Sequence, residues 1–402
     1  MEKPKKIKYP YEYDTEKRRK AKAYTKIKII AGVVNGMLVP IVFLLLFFFL
    51  GFSSQLKTVL GEGPLLIPLF VLVLLLLMEL VELPLKFYSS YLYEHKYKLS
   101  RHTKRSWSIE KVKELLVGLV FGVPILTVVY LLMGLQHWWV YAIVLYFFID
   151  VFMGTIWPVL ILPLFYKLHP FKDKALRKKL LDFARNAGSK NIQDVLVAKE
   201  SDKSVKANAF FAGIGKTKRM VLFDTLLDSF TTKEVETVIG HELGHYVHKD
   251  ILKGIALGTL LLFPVFYIIH LALSSLGLVG DIVSLPIFLA VFDLLGIILM
   301  PLENAFSRRW ERAADWFGLD AAREPEAQIS TEKRLADQAL SDHNPHPFVE
   351  WLLYTHPSAE KRIQMVRDWQ ARSASRAVGP ASLLLKARHA RPSARGGRKK
   401  GK

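Results

Sequence analysis

The chain has 402 residues, of which 51% are hydrophobic, and 56 Lys and Arg against 36 Asp and Glu give it a net charge of +20. Apolar runs such as 39–51 and 65–80 are too long for the buried strands of a globular protein, so the composition excludes a simple water-soluble globule. The sequence contains no cysteine, which excludes a disulfide framework, a thiolate nucleophile and a cysteine-based zinc site. Any bound metal therefore takes His, Asp or Glu ligands.

The first long apolar run starts near residue 29, after a polar and basic segment. A secretory signal would place its apolar core nearer the start and follow it with small residues at a cleavage site, so we expect an uncleaved membrane span. About 20 apolar residues are enough to cross a bilayer, and five further runs meet that length. The six predicted spans are 29–52, 65–85, 115–135, 138–165, 251–276 and 283–302. Each contains a proline, which predicts kinked helices.

The basic residues are concentrated in three segments. Residues 1–28 hold eleven Lys and Arg against four acids, residues 86–113 hold eight against two, and residues 371–402 hold ten and no acid. The loop 53–63 is nearly uncharged. By the positive-inside rule, both termini, the loop 86–113 and the insert 166–250 face the cytoplasm. The charge thus predicts contact with an anionic cytoplasmic leaflet, in the plasma membrane or the endoplasmic reticulum depending on the host, and no nucleic-acid partner is expected.

The insert between the fourth and fifth spans has a mixed pattern. An amphipathic helix is expected over 172–187, and short strands are expected over 195–198, 207–213 and 219–223. Further cytoplasmic helices are predicted over 231–248, 307–319, 328–340 and 347–353. The predicted fold is therefore mainly α, a polytopic membrane helical bundle of about six spans with a small cytoplasmic α+β insert.

The sharpest chemical signal is the pentapeptide His241-Glu242-Leu243-Gly244-His245. Residues four apart on a helix share one face, so the two histidines can offer their nitrogens to one metal ion, and Glu242 can reach a water bound there. A predicted helix capped near residue 231 supplies the required context, and Gly244 leaves room beside the metal face. The pentapeptide alone is also compatible with two surface histidines on an ordinary helix that bind no metal.

Two histidines leave a tetrahedral zinc one protein ligand short of a catalytic site. Glu311 is the candidate third ligand, because a pair of spans returns the chain to the side of the membrane where His241 lies. Asp315, four residues later, shares its helix face and would orient a histidine ligand or donate a proton. The alternative is that Glu311 is a solvated acid paired with Arg308 or Arg312.

Four stretches of the sequence resemble the integral-membrane zinc metalloproteases of the CAAX prenyl protease group. They are SVKANAFFAGIGKTKRMVLFDTLL (204–227), EVETVIGHELGHYVHKD (234–250), FSRRWERAADWFGLD (306–320) and THPSAEKRI (355–363), and LPLFYKL (162–168) matches more weakly. The similarity covers about residues 65–367 in the same order. It implies a fold with one span more than the six counted here, the missing span being the first.

The resemblance implies a role for each matching residue of the site. His241, His245 and Glu311 would bind one zinc ion, and Glu242 would be the general base. Asp315 would lie behind a ligand or act as a proton donor.

The resemblance also implies how substrate is held. Asn208 and Ala209 would lie on an edge strand that pairs with the substrate backbone. His356 and Arg362 would lie over the zinc and hold substrate or the developing oxyanion, although His356 alone is typical of an ordinary loop histidine. His248 is predicted to be a surface histidine, because catalytic zinc keeps one position open.

The predicted function is a membrane-embedded zinc metalloendopeptidase of the CAAX-processing type, which hydrolyses peptide bonds near the C-terminus of protein substrates with or without an isoprenyl group. Chain length and the four spans of the first half favour it over an HtpX-like quality-control protease, and a non-enzymatic membrane scaffold is a third alternative. The predicted domains are 1–165 with the first four spans, 166–370 as the metalloprotease domain with two further spans, and 371–402 as a basic disordered tail.

Overall fold

The computed structural model describes residues 7–189, 192–212 and 218–377, most of which are helical. Its α-helices are α1 (Thr15–Val33), α2 (Val39–Phe49), α3 (Phe52–Leu60), α4 (Leu66–Phe87), α5 (Tyr93–Lys96), α6 (Lys104–Leu132), α7 (Trp138–Ile156), α8 (Leu162–Phe165), α9 (Lys174–Asn186), α10 (Asp224–Ser229), α11 (Thr232–His248), α12 (Asp250–Ser275), α13 (Leu285–Ala322), α14 (Pro325–Gln338), α15 (Pro347–Leu353) and α16 (Ala359–Ala377).

The long apolar helices confirm the predicted multi-pass membrane bundle. The segments long and apolar enough to cross a membrane are Thr15–Phe49, Leu66–Lys96, Lys104–Leu132, Asp250–Ser275 and Ile282–Ala322. A sixth span is formed if Trp138–Gly154 and Val159–Phe165, which are bent by 51° relative to each other, are counted together. Their buried core includes Leu44, Phe70, Leu74, Ile269 and Leu285, contributed by several of these helices.

The insert folds around a four-stranded sheet in the order β1-β2-β4-β3. The strands are β1 (Leu168–Pro170), β2 (Asp194–Ala198), β3 (Ala209–Ala212) and β4 (Arg219–Phe223). β2 and β4 are parallel, and the other two pairs are antiparallel. The strand order places β3 on one edge of the sheet. β1 is absent from the sequence prediction, because three residues that end in a proline carry no readable alternation.

α13 is longer than the sequence predicts. The span 283–302 and the cytoplasmic helix 307–319 are parts of one 38-residue helix, Leu285–Ala322, which continues through Pro301. A proline removes one backbone hydrogen bond, and neighbouring helices can compensate for that in a membrane helix. A single continuous helix therefore leads from the apolar span to Glu311.

α16 also extends beyond its predicted limit. Its residues 371–377 are helical, although the sequence places the start of a disordered tail at residue 371. The guanidinium of Arg372 lies 5.1 Å from the ring centre of Trp316, so this turn is held against α13 by a cation–π contact. Residues 378–402, the remainder of the predicted tail, lie outside the described residues.

Residues 8–18, here called the N-terminal strap, lie against α14 and include the first turn of α1. The Tyr11 hydroxyl donates to Asp337 Oδ2 at 2.8 Å, and the backbone N–H of Asp14 donates to the same oxygen at 2.7 Å. Arg18 pairs with the other carboxylate oxygen of Asp337, whose side chain is fully buried. The basic start of the chain is thus joined to α14, which follows the last membrane segment, by specific contacts.

Candidate active site

α11 has a defined start and one apolar face. Thr231 and Glu234 form a reciprocal capping box, which satisfies backbone N–H groups that the first turn leaves free. Val235, Ile239 and Leu243, spaced four residues apart, are almost completely buried against the sheet and α9. With this face fixed, the histidines of the same helix face α13.

The backbones of α11 and α13 approach each other closely through small residues. A Cβ placed on Gly244 would lie 2.7 Å from Ala314 Cα and 2.9 Å from Ala314 O. Gly240 lies against Gly318 in the same way, with 3.1 Å from a built Cβ to Gly318 Cα. The room that Gly244 provides is therefore occupied by the α13 backbone, and this close approach brings the histidines to the acids of α13.

His241, His245 and Glu311 converge, with one ligand atom from each lying within 4.8 Å of the others. His241 Nε2 is 3.3 Å from Glu311 Oε2, and His245 Nε2 is 3.3 Å from Glu311 Oε1. The two Nε2 atoms are 3.1 Å apart. The structure thus brings together the three residues that the sequence predicts as ligands.

The outer nitrogen of each histidine has its own carboxylate. His241 Nδ1 donates to Asp315 Oδ1 at 2.7 Å, and His245 Nδ1 donates to Asp250 Oδ2 at 2.9 Å. A proton held on Nδ1 leaves the Nε2 lone pairs directed at each other and at the Glu311 carboxylate. Asp315 lies where the sequence expects it, whereas Asp250 is absent from the prediction although it ends the quoted motif stretch.

The donor set fits a divalent cation such as zinc. Two imidazole lone pairs and a carboxylate placed this close repel one another unless a cation lies between them. Glu311 Oε2 is moreover a buried oxygen without a hydrogen-bond partner among the described residues. Both points fit a metal ion bound between these three side chains.

Glu242 lies beside the cluster, at a cleft that it lines together with His241, Asn208 and His356. Burial raises the pKa of its carboxyl above the ordinary value, and the neighbouring histidines oppose that shift. A general base works best when its pKa lies close to the operating pH, and the shift of the Glu242 pKa is in that direction.

His356 and Arg362 contact different members of the cluster. The exposed side chain of His356 places Nε2 3.1 Å from Glu311 Oε1, next to the ligand atoms. Arg362 instead lies behind His241, where its Nε donates to Asp315 Oδ2 at 2.8 Å and its Nη2 is 3.4 Å from His241 Nδ1. The contacts of Arg362 therefore favour a role in holding Asp315, which sequence spacing does not reveal.

Asn208 and Ala209 lie at the start of the edge strand β3. The backbone carbonyl of Asn208 accepts from the N–H of Phe223 on β4, so in this antiparallel pair the backbone groups of Ala209 and Phe211 point to the free edge. The Asn208 side chain accepts from the Ala209 N–H at 2.8 Å. An extended peptide can add to this edge next to the cleft.

His248 lies outside the cluster. Its ring packs edge-on against Phe317 with centroids 5.7 Å apart, and its Nδ1 is buried without a hydrogen-bond partner among the described residues. It is half-buried, packs at the α11–α13 contact and does not belong to the cluster of candidate ligands.

Comparison with known proteins gives the same picture. The model of peptidase family M48 matches residues 170–370. An uncharacterized metalloprotease of Bacillus subtilis, YhfN, is 34% identical over 73% of this chain and 72% of the relative. The chain belongs to peptidase family M48. It is a membrane metalloprotease, and its substrates are peptides or proteins.

Further similarities extend the M48 assignment to the membrane half. The model described as the CAAX prenyl protease N-terminal region, with five membrane helices, matches residues 2–167, where this M48 protein has three of its candidate spans, or four when the bent pair Trp138–Gly154 and Val159–Phe165 is counted as one. CAAX prenyl protease 1 of Saccharomyces cerevisiae is 30% identical over 71% of this chain and 69% of the relative. The crystal structure of Ste24p from S. mikatae has the same fold, with a TM-score of 0.77 and 24% identity over 88% of this chain and 89% of that chain.

Proposed function

We propose that His241, His245 and Glu311 hold one zinc ion and that Glu242 is the general base of peptide hydrolysis. The observation that carries this proposal is the convergence of two lone-pair nitrogens and an unpartnered buried carboxylate oxygen at one point. Zinc bound there supplies Lewis acidity, which makes water a nucleophile at neutral pH and polarises a carbonyl group. Glu242 takes the proton of the attacking water and passes it to the leaving amine.

The neighbouring residues orient the proposed ligands and stabilise the charge that develops on the substrate. Asp315 and Asp250 fix the histidine rings and keep their protons on Nδ1. His356, exposed beside Glu311, is in a position to donate a hydrogen bond to the carbonyl oxygen as negative charge develops on it. We assign Arg362 a positioning role, because Asp315 and Glu332 occupy its guanidinium.

The substrate is proposed to add as a strand to β3. An apolar cavity of about 770 Å³ lies along this edge at the junction with the membrane helices and is lined in part by Trp157, Phe165, Phe210 and Phe211. Its size and character fit a large apolar group near the scissile bond. The N-terminal family match favours CAAX-type proteins, with or without an isoprenyl group, as the substrates.

Zinc analysis combined with peptide cleavage tests the chemistry. We expect one zinc per chain, and we expect EDTA to abolish cleavage of a farnesylated CAAX peptide. Glu242→Gln should retain zinc but lose at least about a hundredfold in rate, as expected for a missing general base. A protein without stoichiometric zinc, or a Glu242→Gln variant with wild-type activity, would refute the proposal. Equal cleavage of the farnesylated and unprenylated peptides would remove prenyl recognition alone.

We also propose that the site faces the cytoplasm, in contact with an anionic leaflet. Because the sequence has no cysteine, single cysteines report sidedness directly. Lys174→Cys in the insert should react with an impermeant maleimide only after the cytoplasmic side is opened, and Glu62→Cys, in the loop after α3, should react from the opposite side. The reverse pattern would place the site outside.

A further inference from the structure

We infer that Glu332 on α14 is a positioning residue for the metal ligand His241, acting through Arg362 and Asp315. The inference rests on the proposed zinc site. It concerns a residue that lies outside all four of the motif stretches singled out in the sequence.

A continuous set of contacts joins these residues across four helices. Glu332 Oε2 lies 2.9 Å from Arg362 Nη1. Arg362 binds Asp315 through two nitrogens, Nε to Oδ2 at 2.8 Å and Nη2 to Oδ1. Asp315 Oδ1 then accepts from His241 Nδ1 at 2.7 Å. α14, α16, α13 and α11 each contribute one member.

All three nitrogens of the Arg362 guanidinium are held, two by Asp315 and the third by Glu332. Asp315 Oδ1 is shared between the N–H groups of His241 and Arg362. Arg362 Nη2 also lies 3.4 Å from His241 Nδ1, so a guanidinium that shifts competes directly with the imidazole for this oxygen. Glu332 holds the third nitrogen from the far side and prevents that shift.

Glu332 is itself held in place. Its side chain is only 3% exposed, and its other oxygen accepts from Gln328 Nε2 at 2.8 Å, one turn earlier on α14. A buried glutamate is costly unless it is paired and hydrogen-bonded. These two contacts fix the position of the Glu332 carboxylate against Arg362.

Asp337 provides a matched control on the same helix. Like Glu332, it is a buried acid of α14 paired with an arginine, but its partner is Arg18 of the N-terminal strap. A variant at Asp337 therefore loses a comparable ion pair without touching Arg362 or His241.

The experiment measures zinc affinity by chelator competition in the full-length protein. We expect Glu332→Ala to weaken zinc binding about tenfold, the lower range for residues that support a metal ligand. Asp337→Ala should stay within about twofold of wild type in zinc affinity, even if its thermal stability falls by more. Glu332→Gln, which keeps an oxygen acceptor for Arg362, should recover most of the affinity.

A double mutant distinguishes positioning from general stabilisation. If Glu332 acts through Asp315, adding Glu332→Ala to Asp315→Asn should change zinc affinity by less than about twofold, because the connection is already broken. Full additivity, or a Glu332→Ala variant with the zinc affinity of Asp337→Ala, overturns the inference. If Glu332→Ala does not fold, Glu332→Asp, whose shorter side chain withdraws from Arg362, takes its place with the same expected loss. A wild-type protein without zinc would overturn the proposed function as well, whereas normal zinc binding with no Glu332 effect overturns this inference alone.

Discussion

Gly244 fixes the distance between the two helices that carry the proposed ligands, so Gly244→Ala is a direct test of the site. The added Cβ would lie 2.7 Å from Ala314 Cα. Non-bonded carbons prefer at least about 3.5 Å, so α11 and α13 must separate locally by roughly 0.8 Å. The two nearest atoms, Ala314 Cα and Ala314 O, cannot move aside, because both belong to the α13 backbone and not to a flexible side chain.

This separation acts on the ligand geometry. The histidines lie on α11 and Glu311 lies on α13, with 3.3 Å between each Nε2 and its carboxylate oxygen. Misplacement of catalytic groups by about 1 Å costs about a hundredfold in rate. Overpacking of this kind costs about 1–3 kcal/mol of stability. We therefore expect Gly244→Ala to fold, to bind zinc at least tenfold more weakly and to lose most of its activity.

A graded series of glycine variants makes the assay specific. Gly240→Ala meets Gly318 Cα at 3.1 Å and should give an intermediate loss, because a few tenths of an ångström suffice to relieve it. Gly254→Ala on α12, with Trp310 Cζ3 at 4.0 Å, should behave like wild type. Zinc content after dialysis against a weak chelator, measured beside peptide cleavage, should rank the variants in that order. Wild-type zinc binding and activity in Gly244→Ala would refute the reasoning.

Three further outcomes are expected. Glu311→Ala should lose stoichiometric zinc even though the neighbouring His356 is unchanged. Metal retained in that variant would point to another ligand. Arg18→Ala leaves the buried Asp337 carboxylate without its charge partner, so the midpoint of denaturant unfolding should fall by an amount equivalent to about 3 kcal/mol, and an unchanged midpoint would contradict the role of the N-terminal strap. Burial raises the pKa of Glu332 above the ordinary glutamate value, against an opposing effect of Arg362, so the folded protein binds this proton more tightly than the unfolded chain does. Stability relative to Glu332→Gln should therefore fall as the pH rises through the raised pKa, and a pH-independent difference between the two proteins would contradict this.

Local periodicity explains what the sequence predicts correctly. The four-residue spacing of His241 and His245 defines a helix face without any tertiary information, and the same spacing places Glu311 and Asp315 together. The lengths of the apolar runs set the spans in the same way. These features depend on residues that are neighbours along one element, so the fold class and the pairs His241/His245 and Glu311/Asp315 are accessible from local spacing. Joining Glu311 to the two histidines required the order of the spans and the resemblance to a known family.

Features that depend on packing between distant elements are not accessible in this way. Nothing in the sequence near Glu332 indicates that it meets Arg362, because the contact requires α14 and α16 to lie side by side. The position of Arg362 behind His241 has the same origin. The continuation of α13 through Pro301 depends on neighbouring helices, whereas a local pattern treats the proline as a boundary.

The basic residues at the start of the chain have a structural role that charge counting does not show. The positive-inside rule predicts basic residues there when this end of the chain faces the cytoplasm, as proposed, but Arg18 also binds a buried acid of α14. Asp337 and Glu332 are five residues apart and therefore point about 140° away from each other around the helix, at 3.6 residues per turn. One acid faces the N-terminal strap and the other faces Arg362 at the proposed metal site. α14 thus presents one buried acid to the first membrane segment and another to the proposed metal site, on different faces of one helix, which is why a variant at Asp337 separates helix stability from support of His241.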